Sequence, residues 1–417
     1  MELKESLVQH YKNLKSDVLS DLRKDAITNF EVVGFPTVKH EEWKYTNLKQ
    51  SLTKAYAIQP ASTVTKNDIQ SIVEKGPKGF SLIFVNGIYQ PSLSTFDSSA
   101  VEVKNFQEES ALVQKYFGKN LPFSDSMISL NLAFATQGTV IRVKKGKAAE
   151  QAIICYFISD ARQHDVLVQP SILTVVEEAA QATIAEIYHT LGSNTSFTNV
   201  FSHTVVKQDG YLESYKIQND SDSSVQVNNT QLVHEAKCVT NTTTITVGGG
   251  LIRNSLSIAL NAEYNEAHLN GLYLTNGSMH VDNHTLVDHA MPNCYSNELY
   301  KGVLNGKSTG VFNGKIWVRK DAQKTNAFQS NKNVLISKEA SVNTKPQLEI
   351  FADDVKCSHG ATTGQLDENA LYYMRARGIG EENAKKLLVH AFAFDVIDKI
   401  QNDNIREYLV QEIEAKL

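Results

Sequence analysis

At 417 residues, with 41% hydrophobic and 21% charged residues, the chain has an ordinary globular composition, large enough for one long core with appendages or for several domains. A formal net charge of −5 argues against a dedicated nucleic-acid binder, which gathers Lys and Arg on one face. No apolar run nears the roughly 20 residues that cross a bilayer, the N-terminus lacks a signal-peptide pattern, and the cysteines at 155, 238, 294 and 357 are too scattered for a disulfide framework or a zinc knuckle, so a cytoplasmic protein is expected.

In residues 1–30, Leu7, Val8, Tyr11, Leu14, Val18 and Leu22 recur every three or four positions among polar residues, which predicts an amphipathic helix ended by Gly34 and Pro36. The following EEWKYTNL carries Trp43 and Tyr45, expected to anchor the N-terminal arm on the body. Asn86-Gly87 between two apolar runs is a hairpin signal, and helices are expected at 106–117 and at 124–136, the second opening on Ser124-Asp125 as N-cap residues.

From Thr139 to about Gly364 helical periodicity largely gives way to alternation. Leu256, Ile258, Leu260, Ala262 and Tyr264 are successive same-face positions, and further strands are expected at 139–143, 171–176, 183–188, 211–217, 243–247, 316–318 and 333–336. More than two hundred residues of strand without intervening helices exclude a doubly wound fold and leave a large sandwich or a solenoid. No fixed-period repeat is visible, and the unbroken character of the stretch favours the solenoid. Beyond Leu366 the pattern is helical again. Leu387, Leu388, Ala391, Phe392, Phe394, Val396 and Ile397 cover more than one stripe of a helix, which requires a second neighbour, either a helix of the same chain or a partner groove.

Three stretches bear on chemistry. MHVDNHTLVDHAMPNC places His280, Asp282, His284, Asp288, His289 and Cys294 within fifteen residues. These are metal-ligand types, yet the spacing is not that of a helical zinc motif, and polar ladder and turn residues are the favoured reading. GVLNGKSTG fails as a phosphate loop, because three residues rather than four separate Gly302 from Gly306 and no helix follows. LEIFADDVKCSHGATTG puts Cys357 and His359 two apart, on one face of an extended chain, after a phase slip at Asp353-Asp354 that signals a bulge or a corner. No base, oxyanion loop or third triad member accompanies them, so nucleophilic catalysis is not indicated.

These stretches resemble the SufD family of the SUF iron–sulfur cluster assembly system. The resemblance rests on PQLEI running into ADDVKCSHGAT, on LYYMRARGI at 371–379, on VDHAMPNCYSNELYKGVLNG, on STGVFNGKIWVRKDAQKTNAFQSNKNVLIS and on EEWKYTNL. It implies a mainly β protein: a right-handed parallel β-helix at 138–365 between an N-terminal mostly helical domain, 1–137, and a C-terminal helical domain, 366–417. It further implies a non-catalytic scaffold that pairs with a SufB-like protein through the β-helix, or forms a homodimer when isolated, and docks a SufC-like ATPase through its C-terminal helices, with Leu387, Leu388, Ala391 and Phe392 as docking residues. His359, with Cys357 beside it, would contribute transient metal ligands to an iron–sulfur cluster assembled at the interface, and no cofactor would be held stably by this chain alone. SufB is the nearest competitor within that likeness, but it is disfavoured by the short length and the absence of an N-terminal cysteine cluster. The alternative class is a β-helical carbohydrate-active or metal-dependent hydrolase. Neither nucleic acid nor membrane is an expected partner.

Overall fold

The computed structural model describes residues 2–119, 121 and 125–416. From Thr139 onward the chain winds through two parallel sheets in alternation, a solenoid of about eight turns. The first sheet stacks Thr139–Val143, Ser171–Val176, Ser196–Val206, Val225–His234, Leu251–Leu260, His280–His289, Thr309–Val318 and Ser341–Ile350. The second stacks Ile153–Asp160, Gln181–Leu191, Tyr211–Asn219, Val239–Gly248, Glu266–Thr275, Tyr295–Leu304, Asn326–Leu335 and Lys356–Gly364. The sequence hides this repeat because its length drifts: Asn228 lies over Asn254, 26 residues on, whereas Thr309 lies over Ser341, 32 residues on. From Gln181 on, strand lengths stay at 9 to 11 residues while the corners absorb the difference.

Stacking in register at 4.7–4.9 Å lets like side chains interact along the axis. Inside the solenoid, Asn228 Nδ2 donates to Asn254 Oδ1 at 3.1 Å and Asn254 Nδ2 to Asn283 Oδ1 at 3.0 Å, while Gln218 reaches across from the second sheet to Asn254 at 3.0 Å. Such a ladder satisfies buried amides that would otherwise each cost about 1–3 kcal/mol. Apolar layers, among them Ile258, Leu260, Leu269, Val287 and Phe312, fill the rest. Two tyrosines interleave with two glycines: Tyr300 lies over Gly271 and Gly302 lies over Tyr273, and a Cβ on Gly271 would stand 2.2 Å from the Tyr300 ring.

The two ends of the solenoid differ. At the N-terminal end, antiparallel Val101–Asn105 covers the first sheet. Phe80–Val85, with its Asn86-Gly87 hairpin to Ile88–Tyr89, covers the second. Helices Leu3–Tyr11, Ser20–Val33 and Ser126–Ala133 bury Leu7, Phe30, Met127 and Leu130 in one cluster with Leu173, Val175, Phe197 and Phe201 of the first sheet. Asp125 caps the last of these by accepting from the backbone of Met127 and Ile128, and Ser124 lies outside the described residues. At the C-terminal end no strand follows on either sheet among the described residues.

Several expectations are corrected. The N-terminal amphipathic run is two helices separated by a turn from Lys12, since the polar stretch around Lys15-Ser16-Asp17 places Asp17 on Ser20 and Arg23 instead of continuing the helix. The helix expected from 106 starts at Ser110. Ala262 and Tyr264 lie beyond Leu260 in a corner, where Tyr264 has φ 61° and is exposed, so alternation overran the strand end. Trp43 is buried as expected, whereas Tyr45 is 44% exposed and does not anchor the arm.

Candidate functional site

The open end is formed by Ser341–Ile350 and Lys356–Gly364, which among the described residues pair only with Thr309–Val318 and with Asn326–Leu335. Each leaves one edge of backbone donors and acceptors free, a template for strand pairing with another chain. The phase slip at Asp353-Asp354 is the corner between the two sheets. It restarts the alternation so that Cys357 lies over Ala327 and His359 over Gln329. Cys357 packs with Val318, Ala327, Leu348 and Ala352, so its face is the inner face of the solenoid. At the last coil that face is uncovered: His359 is exposed and Cys357 half-buried, with Ile350 and Phe351 exposed nearby in sequence. Burial pushes the Cys357 thiol above its ordinary range. Among the described residues no group of three or more His, Cys, Asp or Glu side chains is arranged around one metal position. A thiol and an imidazole on one face supply two soft or borderline donors of the types that hold iron.

Behind His359 the same inner row continues as Gln329 and then Glu298, each one coil further in. Gln329 Nε2 donates to Glu298 Oε2 at 2.8 Å, and burial pushes the Glu298 carboxyl up to about 7. Neither residue stands out in the sequence, because each lies about thirty positions from its neighbour in the row.

The His/Asp/Cys group at 280–294 divides: His280, Asp282 and His284 share one face of the strand His280–His289, His289 turns to the other, and Cys294 lies past the corner. His289 points inward to Ser296 Oγ at 2.8 Å, Asp288 receives Arg319 in two bonds of 2.9 and 2.6 Å, and the Cys294 thiol donates to the Ala262 carbonyl at 3.2 Å. Asp282 forms a fully buried ion pair with Arg253, whose guanidinium lies 4.1 Å from the Trp43 ring centroid. Thr46 bonds both His280, at 2.9 Å, and Asp282, and Glu42 reaches His284 at 3.3 Å. Arg253 holds the Asp282 carboxyl far below the usual carboxylate range against the cost of burial. This group clamps segment 41–47 onto the first sheet, so its donors are committed to structure. Arg253, the centre of the clamp, carried no signal in the sequence, since its partners come from the next coil and the N-terminal arm.

The chain matches the SUF system FeS cluster assembly SufBD core domain over residues 157–392 and the SufBD N-terminal region over residues 1–154. The chain belongs to the SufBD family. An iron–sulfur cluster assembly SufBD family protein of Synechocystis is 28% identical, over 96% of this chain and 92% of its own length. The iron–sulfur cluster assembly protein SufD of Escherichia coli is also 28% identical, over 92% and 90%. The chloroplastic protein ABCI7 of Arabidopsis thaliana is 27% identical, over 92% and 83%.

In this SufBD chain three helices follow the open coil: Glu368–Ala376, Glu381–Ile397 and Asp403–Glu414. The second packs Val389, Ala393, Val396 and Ile397 with Ile245, Leu272, Leu274 and Val303 of the second sheet, and Lys301 ties it down through the Phe392 carbonyl at 2.9 Å and an ion pair with Asp395. The sequence-predicted docking residues divide here. Leu387, 50% exposed, and Ala391 face away from the body, whereas Leu388 and Phe392 are half-buried, with Lys301 Nζ 4.2 Å from the Phe392 ring centroid. Tyr372 and Tyr373 of the preceding helix are exposed as well. No helix among the described residues is long and apolar enough to cross a membrane.

Proposed function

We propose that this chain is a SufD-type scaffold subunit, not itself an enzyme, in SUF iron–sulfur cluster assembly. It pairs end to end with a SufB-like protein, and a nascent cluster forms as transient cargo where the two meet. The observation that carries this reading is the asymmetry of the solenoid: strands and helices cover one end, while the other offers two strand edges unpaired among the described residues, with Cys357 and His359 on the exposed inner face. A partner solenoid that continued both sheets would satisfy the free backbone groups and bring the remaining ligands to this half-site. In the absence of that partner, the same edges would accept a second copy of the chain.

Tyr372, Tyr373 and Leu387, exposed on the first two C-terminal helices, serve as the dock for a SufC-like ATPase. ATP hydrolysis would occur in that subunit, and its movement would reach the cluster interface through the C-terminal helices. The test uses the complex reconstituted with SufB-like and SufC-like partners: His359→Ala should abolish most cluster formation, followed by absorbance and iron content, while circular dichroism and complex assembly stay unchanged. Wild-type cluster yield from a folded, assembled His359→Ala complex would remove His359 from the mechanism.

A further inference from the structure

A histidine that ligates a metal through one ring nitrogen almost always donates the N–H of the other to an oxygen acceptor, which fixes its tautomer and ring orientation. On the inner face of the solenoid, the residue in register one coil behind His359 is Gln329, and the one behind that is Glu298. Three side chains in one row of a parallel sheet are spaced by about 4.7–4.9 Å, within reach of one another. Gln329 and Glu298 are almost wholly buried, at 3% and 1% exposure. The Gln329 amide is oriented by its bond from Nε2 to Glu298 Oε2, which leaves Oε1 buried without a hydrogen-bond partner. Glycine at 314 on the facing sheet makes the space for this amide, since a Cβ there would stand 2.3 Å from Gln329 Nε2.

We propose that Gln329 is the positioning residue for His359: its Oε1 accepts the inward N–H of the imidazole, with Glu298 holding the amide, so that the other ring nitrogen is presented at the open end. The inference rests on the role given to His359 above. An unmet acceptor in the interior normally costs stability. Here that acceptor belongs to the residue in register with His359, the exposed imidazole of the row, and no bond between the two is formed in this structure.

The experiment uses the reconstituted complex and compares four forms of this chain. Gln329→Met keeps length and removes the acceptor, and cluster yield should fall about tenfold to a hundredfold, the usual effect of losing a histidine's outer partner. Glu298→Gln combined with Gln329→Glu exchanges acid and amide, keeping both the buried bond and an acceptor beside His359, and should restore cluster yield to near the wild-type level. Wild-type yield from Gln329→Met, with His359→Ala inactive, would overturn the positioning role and leave the proposed function standing. A folded exchange variant as defective as Gln329→Met would overturn it too, because packing alone would then explain the loss. If Gln329→Met does not fold, the exchange variant decides between these outcomes. Wild-type yield from His359→Ala would instead overturn the proposed function itself.

Discussion

Replacing Arg253 by Met should release the N-terminal segment that carries Trp43. In the native protein the Arg253 and Asp282 side chains are 0% and 1% exposed and paired with each other, with Trp43 over the guanidinium. Removing one partner of a buried pair costs about 3–5 kcal/mol, because the remaining charge stays buried without compensation. Here that charge is Asp282, left with Thr46 and the flanking His280 and His284. Opening of segment 41–47 would rehydrate Asp282, so the penalty falls on the closed form. A change of 3–5 kcal/mol corresponds to a rise in the opened population of about a hundredfold to a few thousandfold. Limited trypsin digestion reads this population when reclosing is faster than cleavage. Cleavage after Lys44, an exposed residue inside the segment, should accelerate by a comparable factor. In Arg253→Met combined with Asp282→Leu no buried charge is left, and most of the protection should return. If Arg253→Met accelerates cleavage by less than tenfold, or if the double variant is as labile as the single, the clamp is not what holds this segment.

Three further outcomes follow from the same structure. Glu298 has a folded-state pKa of about 7 against an ordinary 4.5, so the native state retains a proton that the unfolded chain loses; stability is fully present below about 4.5 and falls as pH rises through about 7. Glu298→Gln should remove that fall, raising stability at pH 8 by up to about 3 kcal/mol in urea unfolding and flattening the pH dependence between 4.5 and 7. Gly271→Ala should destabilise the solenoid by about 1–3 kcal/mol through overpacking against Tyr300, and adding Tyr300→Phe should not relieve it, because the ring and not the hydroxyl is in the way. Leu387→Asp should leave thermal stability within about 0.5 kcal/mol of wild type and weaken capture of a SufC-like ATPase in a pull-down, whereas Phe392→Asp should unfold the C-terminal helices, as circular dichroism would report.

Period-two alternation with frequent turn residues made the β class legible, and the Asn86-Gly87 hairpin is where the sequence placed it. The solenoid was an inference from the length of the strand region and from resemblance, because coils of 26 to 33 residues, from Val225 over Leu251 to Thr139 over Ile172, blur any fixed period. Cys357 and His359 were legible as a pair for a local reason: strand geometry puts positions two apart on one face. At 280–294 the same rule keeps His280, Asp282 and His284 on one face, where Thr46, Arg253 and Glu42 take them up, and turns His289 inward to Ser296.

What the sequence by itself determined is therefore what depends on near neighbours: strand faces, turns, helix stripes and the thiol–imidazole pair. What only the tertiary structure decided is what stands one coil away. Stacking brought Gln329 and Glu298 behind His359, set Arg253 against Asp282 and Trp43, and left the coil carrying Cys357 and His359 uncovered. In a parallel solenoid the nearest side chain along the axis is about thirty residues distant in the chain but less than 5 Å away in space. Local pattern cannot specify that register, because it is set by the closure of each turn on the one before.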